Sequence, residues 1–447
     1  MRKWDRFSLY TNHPTYGYIV ILDIDKSKLG SAILFRYCTF LCYNKYVMIM
    51  KVKIEKIDDF GRGIAYIDDK ITFIPKTIPG DVVDVSIINN KKKYNVAKIN
   101  EIIENGKNRI DSICPFYLEC GGCSMQNLEY RLELEYKLDK INNLFKKSKI
   151  DYQVKKIIKS KKRFNYRNKI SLKIENGSIG YYEEFTHNLI EINNCDLVCK
   201  SINDIIKDLN FLEITDGAIV IRSNYKNELL LIIETDNYNE NGLKLLIDRY
   251  KIAGIILNKK CIYGVDFFVD KIGDYIFKIS YNSFFQVNRY TCSELFNLIK
   301  EYTKDSKNII DLYCGVGTLG MVAKENCDSA LGVEIVDNAI YNAKTNSVMN
   351  NITNIDFVCS DTNKIVDFIK DKDLVIVDPP RSGLTSKVID SIKKYKVKKI
   401  IYVSCDANTL IRDLNSLLSD YDIEDIKLLD MFPGTYHVET ICVLEKN

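Results

Sequence analysis

At 447 residues the chain has room for about three domains, and an apolar fraction of 46% excludes a disordered chain. The formal charge of +4 is too mild to single out a partner, but Lys91–Lys93 and the stretch from Lys155 to Arg167 gather basic residues in the first half, in a pattern that suits a polyanion. Fourteen cysteines with no secretory signal before them are expected in a reducing, cytoplasmic compartment.

Residues 1–47 show neither a clear period nor turn logic. Met48 and Met50 stand just before the first well-patterned strand, so this segment reads as an upstream extension of the reading frame, and a chain starting at Met48 is expected to fold and act normally. Arg36 and earlier charges break its apolar stretch, which argues against a membrane span; a short membrane-surface segment is the alternative. From Val52 to about Lys107 the chain reads as short strands: Val83, Val85 and Ile87 alternate with Asp84 and Ser86, and Pro79-Gly80-Asp81 signals a turn. Strands at this spacing predict a small barrel, and the pattern resembles a TRAM domain, an OB-like RNA-binding barrel whose Lys and aromatic residues would face nucleic acid.

Cys114, Cys120 and Cys123 crowd into the string Cys-x5-Cys-Gly-Gly-Cys. Thiolates this dense in a reducing compartment point to a soft metal. Zinc and an iron–sulfur cubane both want four such ligands; the fourth is expected to be Cys195, with Cys199 a rival that spacing does not exclude. Leu134, Leu138, Ile141 and Phe145 then recur at helical spacing. Aromatic and basic residues interleave in Phe164-Asn165-Tyr166-Arg167-Asn168-Lys169, which fits base stacking with phosphate contacts. Residues 164–285 read as an α+β region with antiparallel strands.

The last third alternates strands with helices. Ile309 to Leu312 is a strand entering the turn Tyr313-Cys314-Gly315-Val316-Gly317-Thr318. Glu334, Asp361 and Asp378 end the next three strands, where acids can meet ribose hydroxyls and other polar edges of a nucleoside. No phosphate-binding Lys follows the glycine turn, so S-adenosylmethionine fits better than ATP. Ile400–Val403 is a β-branched strand, and Cys405 just past its end would project into the ligand crevice of an open α/β sheet. A thiol there is a candidate nucleophile and Glu439, in His437-Val438-Glu439, a candidate general base. A small buried cysteine and a surface carboxylate are the plain alternatives.

Together with Phe284-Phe285-Gln286-Val287-Asn288, Asp378-Pro379-Pro380-Arg381 and His437-Val438-Glu439-Thr440, these motifs resemble the RNA uracil-5 methyltransferase family over about residues 50–447. The similarity is to the 23S ribosomal RNA branch, which carries a TRAM domain and a 4Fe-4S cluster. The resemblance implies a multidomain fold: a small OB-like β-barrel (48–107), an α+β central domain with the metal cluster (108–285), and an α/β Rossmann-like class I methyltransferase domain (286–447), on which a helix within 125–150 packs. It implies Cys405 as nucleophile, Glu439 as base, and Gln286, Tyr313, Glu334 and Asp378 at cofactor positions with Thr318 and Asp361 beside them. Thr318 stands where relatives often carry Asn. It implies S-adenosyl-L-methionine as cofactor, a 4Fe-4S cluster on Cys114, Cys120, Cys123 and Cys195, and 23S ribosomal RNA as substrate, with no membrane and no obligate protein partner. Asp378 would also reach the uracil edge. A transfer RNA uridine and a retired, purely RNA-binding domain are the competing readings. The barrel and cysteine string weigh against the first, and intact Cys405 and Glu439 against the second.

Overall fold

Apolar alternation from Met50 onward builds six strands in the computed structural model, which describes residues 50–364 and 366–447. The 1–47 extension lies outside these residues. The strands β1 (Met50–Lys53), β2 (Lys56–Ile57), β3 (Gly63–Ile67), β4 (Lys70–Ile74), β5 (Val82–Asn90) and β6 (Tyr94–Glu104) share one sheet in the order β1-β5-β6-β4-β3-β2. Ile54, Ala65, Ile74, Val83, Val85 and Ala97 form its core. The turn before β5 works as its sequence predicts. Gly80 takes φ +91°, and the Asp81 carboxylate accepts the amides of Ile78 and Gly106, each at 2.8 Å. Lys91–Lys93 form the exposed turn between β5 and β6. This sheet is one of two compact units; the other comprises Asp59–Gly61 and Arg109–Asn447.

In the larger unit, helix α1 (Tyr130–Lys147) and strand β7 (Ile157–Ile158) precede a seven-stranded sheet. Its strands are β8 (Lys169–Glu175), β9 (Ser178–Tyr182), β10 (Leu189–Glu191), β11 (Gly217–Ser223), β12 (Leu229–Thr235), β13 (Ile252–Leu257) and β14 (Lys260–Gly264). They run in the order β10-β9-β8-β11-β12-β13-β14, antiparallel except for the β12–β13 pair. Helices α2 (Lys200–Ile206) and α3 (Glu240–Arg249) cover this sheet. The hairpin β15 (Phe267–Ile272) and β16 (Tyr275–Ser280) leads into α4 (Arg289–Tyr302), whose first turn is capped by the Asn288 side chain on the Thr291 amide at 3.2 Å.

From there strands and helices alternate: β17 (Asn308–Leu312), α5 (Thr318–Ala323), β18 (Ser329–Glu334), α6 (Asp337–Met349), β19 (Ile355–Cys359), β20 (Leu374–Val377), α7 (Ser386–Lys394), β21 (Lys399–Ser404), α8 (Ala407–Leu417), β22 (Tyr421–Leu429) and β23 (Glu439–Lys446). The strands join β7 in an eight-stranded sheet of order β19-β18-β17-β20-β21-β23-β22-β7. The first five of these lie parallel, and β23 runs antiparallel between β21 and β22. Fully buried parallel strands explain the unbroken apolar runs Leu374–Val377 and Ile400–Val403. One face of the sheet packs on α4, α5, α6 and the hairpin, the other on α7, α8 and α1, which contributes Ile141, Leu144 and Phe145. Burying each such side chain contributes about 1.5–3 kcal/mol. Among the described residues no helix is long and apolar enough to cross a membrane.

Candidate active site

The strand order reverses between β17 and β20, and the crevice beyond the carboxyl ends at such a switch point is where open α/β sheets take ligands. Each expected cofactor residue on the sheet follows or closes one of these strands. Tyr313 follows β17 in the left-handed region, φ +64°, a conformation that L side chains adopt at a cost. Gly315 and Gly317 follow with φ +54° and +84°. A Cβ on Gly317 would stand 2.9 Å from the Phe357 ring, so only glycine fits there, whereas a Cβ on Gly315 would meet nothing within 4 Å. The turn therefore presents open space above its backbone.

Glu334, the last residue of β18, accepts the amides of Ile335 at 2.8 Å, Val336 at 3.0 Å and Gly315 at 3.2 Å, which ties the turn to the next strand. Tyr313 Oη accepts a hydrogen bond from Thr362 Oγ1 at 3.2 Å, next to Asp361. Asp361 in turn accepts the Asn363 amide at 2.9 Å. Thr318 opens α5 and is half-buried. Gln286 lies on the segment entering α4, its carbonyl held by Asn168 Nδ2 at 3.1 Å, while the neighbouring Phe284 is 74% exposed.

Cys405 and Glu439 meet through strand pairing. In the β21–β23 ladder Val403 faces Ile441 and Ser404 faces Thr440. Continuing that antiparallel register by one residue sets Cys405 opposite Glu439. Asp406 caps α8 by accepting the amides of Asn408 at 3.0 Å and Thr409 at 3.1 Å, which fixes the turn that carries Cys405. Asp378 follows the neighbouring β20, whose last residue Val377 pairs with Tyr402.

Burial dominates the electrostatics. It pushes the Asp378 carboxyl up to about 7 and holds that of Glu439 well above its ordinary range, with Asp378 adding to the latter. Two carboxyls this close resist ionising together. Burial, then Glu439 and Asp378, raise the Cys405 thiol to about 11, and Arg381 acts against them. His437 is pushed down to about 4 by burial and nearby cations, so its ring is neutral near pH 7. Three members of this cluster carry no role in the sequence reading: Arg381, Asp311 and Cys292. Asp311 is raised to about 8 by burial, against its hydrogen bond from the Gly320 amide, and its Oδ1 has no hydrogen-bond partner among the described residues. Cys292, wholly buried in α4, is raised by burial and then by Asp378 and Glu439. An acid inside a buried strand was the one signal that marked Asp311; nothing marked Cys292.

The cysteine string forms a second site. Cys114, Cys120, Cys123 and Cys195 line one cavity of about 60 Å³ together with Arg167 and Asp196. Gln126 Nε2 donates to Cys123 Sγ at 3.2 Å and the Gly122 amide to Cys120 Sγ at 3.4 Å. Arg167 Nε is buried without a hydrogen-bond partner among the described residues. Cys199 does not line the cavity; it precedes α2, and its sulfur lies 3.4 Å from Ser201 Oγ. Among the described residues no three or more His, Cys, Asp or Glu side chains converge closely enough to hold a single metal ion, so the expected metal centre is not displayed by the side chains as they stand.

Residues 221–447 match the family profile described as tRNA (uracil-5-)-methyltransferase, and residues 47–99 match the TRAM domain. An uncharacterized RNA methyltransferase of Clostridium tetani is 32% identical over 90% of this chain and 96% of its own length. One from Clostridium acetobutylicum is 33% identical over 87% and 96%. The crystal structure of the Pyrococcus abyssi tRNA (uracil-54, C5)-methyltransferase with S-adenosyl-L-homocysteine superposes with a TM-score of 0.74 at 27% identity. It covers 88% of this chain and all of the Pyrococcus chain.

Proposed function

Because this chain belongs to the tRNA (uracil-5-)-methyltransferase family and carries a TRAM domain, we propose that it transfers a methyl group to C5 of a specific uridine in 23S ribosomal RNA through a covalent Cys405–C6 adduct. The observation that carries the mechanism is the β21–β23 register, which brings Cys405 and Glu439 together beside Asp378. Tyr313, Glu334, Asp361 and Asp378, with Gln286 and Thr318, would hold S-adenosylmethionine, which would supply an electrophilic sulfonium methyl. The open space over Gly315 and the acids at the strand ends fit a phosphate-free nucleoside.

C5 of uracil is a poor nucleophile. Addition of the Cys405 sulfur to C6 gives C5 carbanion character, so one hard step becomes two accessible ones. The thiol must first lose its proton. That proton leaves to solvent, because Asp378 and Glu439 do not both ionise readily and the one charge they share is kept for the later C5 proton. Arg381 favours the thiolate. After C5 is methylated, Glu439 accepts its proton and Cys405 leaves C6. A carboxyl with a raised pKa is a stronger base once ionised than an exposed one. The uridine must leave its stack to reach this crevice, and the interleaved 164–169 segment and the TRAM domain supply the RNA grip.

The 23S assignment rests on the pairing of a TRAM domain with the cysteine string. A transfer RNA uridine is the second reading, supported by the Pyrococcus enzyme's likeness over most of the chain. Mapping 5-methyluridine in total RNA from a deletion strain decides between them. Loss of one ribosomal site is the expected result, loss of a transfer RNA site establishes the second reading, and loss of none overturns both. A cytoplasmic site of action is part of the same proposal.

The same proposal puts a 4Fe-4S cluster on Cys114, Cys120, Cys123 and Cys195. Lining one cavity, these four would supply the thiolates that such a cluster takes. Amide donors to two of the sulfurs and the orphaned Arg167 Nε suit an anionic group in that cavity, while the likewise orphaned Asp196 Oδ2 acts against one. Methyl transfer needs no electron, so the cluster would cross-link the segment 114–123 to residue 195. Anaerobically purified protein should carry about four irons and four sulfides per chain. Stoichiometric zinc without iron would overturn this assignment. Cys195→Ala should lose the iron and Cys199→Ala should keep it.

A further inference from the structure

The turn between β22 and β23, from Asp430 to Val438, delivers Glu439, and residues far away in the chain hold it. Lys137 of α1 has no exposed side-chain surface. It donates to Asp430 Oδ1 at 2.6 Å, to Glu133 Oε1 at 2.8 Å and to the Phe432 carbonyl at 3.3 Å. Glu133, equally buried, accepts the Gly434 amide at 2.7 Å. The Gly434 carbonyl accepts the amides of Ser124 and Met125 at 3.1 and 3.0 Å, and Ser124 Oγ accepts the Tyr436 amide at 3.0 Å.

Three ionisable side chains with no exposure are a poor way to gain stability, since apolar residues of similar volume do as well or better. What apolar residues cannot do is bind the backbone polar groups of an irregular turn. Glu439 is the first residue of β23. On its C-terminal side the sheet ladder fixes it, and on its N-terminal side this turn does.

We propose that Lys137, with Glu133 and Asp430, is a positioning network for Glu439, setting where its carboxyl stands relative to C5 of the bound uracil. The proposal rests on the reading of Glu439 as the base. It differs from a general stabilising role in acting on one step: sulfur addition and methylation proceed, and C5 deprotonation slows.

The test uses full-length Lys137→Met, Ser124→Ala and the neutral triple variant Glu133→Gln/Lys137→Met/Asp430→Asn, with Glu439→Gln alongside. The probes are 23S ribosomal RNA and transfer RNA transcripts made with uridine or with 5-fluorouridine. The fluorinated RNA traps enzyme without any need for the base. Lys137→Met should trap on it at the wild-type rate, lose turnover on uridine RNA by about a hundredfold, the scale of a misplacement near 1 Å, and accumulate a covalent adduct there. Ser124→Ala should show the same adduct with a smaller loss. Should Lys137→Met fail to fold, the triple variant, which neutralises the three buried groups together and leaves only the partly exposed Arg163 without its carboxylate, should fold and still accumulate adduct. Trapping and turnover that fall in parallel in the folded variants overturn the proposal, as does normal turnover in Ser124→Ala and the triple variant. Absence of adduct in Glu439→Gln would instead remove the reading on which it rests.

Discussion

Cys405→Ala is expected to abolish both methylation and covalent capture of RNA. With 5-fluorouridine at the target, the wild-type sulfur adds to C6 and C5 is methylated, but fluorine cannot leave as a proton. The adduct then persists as a band joining protein to RNA, seen only, or far more strongly, with S-adenosylmethionine present. Without the sulfur, C5 has no route to carbanion character, and turnover should fall on the order of 10⁴-fold or more, as when another enzyme's nucleophile is removed. The site adds a check on the same residue. Its thiol sits at about 11, so the thiolate fraction rises with pH across the whole range from 7 to 10. Alkylation of Cys405 by iodoacetamide, followed by mass spectrometry of its peptide, should accelerate by about tenfold per pH unit over that range. A plateau near pH 7 would mean that Arg381 outweighs burial. Near-normal turnover in Cys405→Ala would mean that the covalent route is wrong.

Glu439→Gln is expected to stop the reaction one step later. Glutamine keeps the shape of the side chain in its buried place at the head of β23 but cannot accept the C5 proton. Sulfur addition and methylation need no base at that position, so the adduct should build up on ordinary uridine RNA. Turnover should fall about a hundredfold or more, the scale of a lost general base. The raised carboxyl of Glu439 gives the variant a second signature. The charge of Glu439, which raises the Cys405 thiol more than that of Asp378 does, disappears, so alkylation of Cys405 should proceed faster than in the wild type at a given pH. Normal turnover without adduct would assign the base to another group, with Asp378 the next candidate, and would leave the role of Cys405 intact.

The parallel strands were legible in the chain because burial on both faces demands unbroken apolar runs. Ile309–Leu312, Leu374–Val377 and Ile400–Val403 could be picked out, together with the polar residue that closes or follows each. The glycine turn was legible for a similar reason, since positive φ at Gly315 and Gly317 leaves few residue choices. The Pro79–Asp81 turn and the helix after the cysteine string followed from local chemistry alone.

The helix also shows where local reading stops. Leu134 and Leu138 recur at the right spacing, yet both are half-buried, and the side chains with no exposure one residue earlier are Glu133 and Lys137. By themselves these read as a solvated i,i+4 pair. Only the arrival of Asp430 and the Phe432 carbonyl, from nearly three hundred residues away, makes their burial tolerable.

The sequence by itself determined which residues can carry chemistry: a cysteine after one strand, acids after others, and a string of thiols. It did not determine their partners. Whether β23 enters beside β21, and in which register, depends on hydrogen-bond pairing and on burial of Ile441 and Val443 against a core built from distant segments. A slip of one residue would exchange those side chains with Cys442 and Leu444 on the opposite, equally buried face and misfit both cores. Tertiary structure therefore decided that Cys405 faces Glu439, and that Cys195 rather than Cys199 joins the cysteine cavity. These placements come from long-range packing, whose energy is shared by many side chains and written in no single motif.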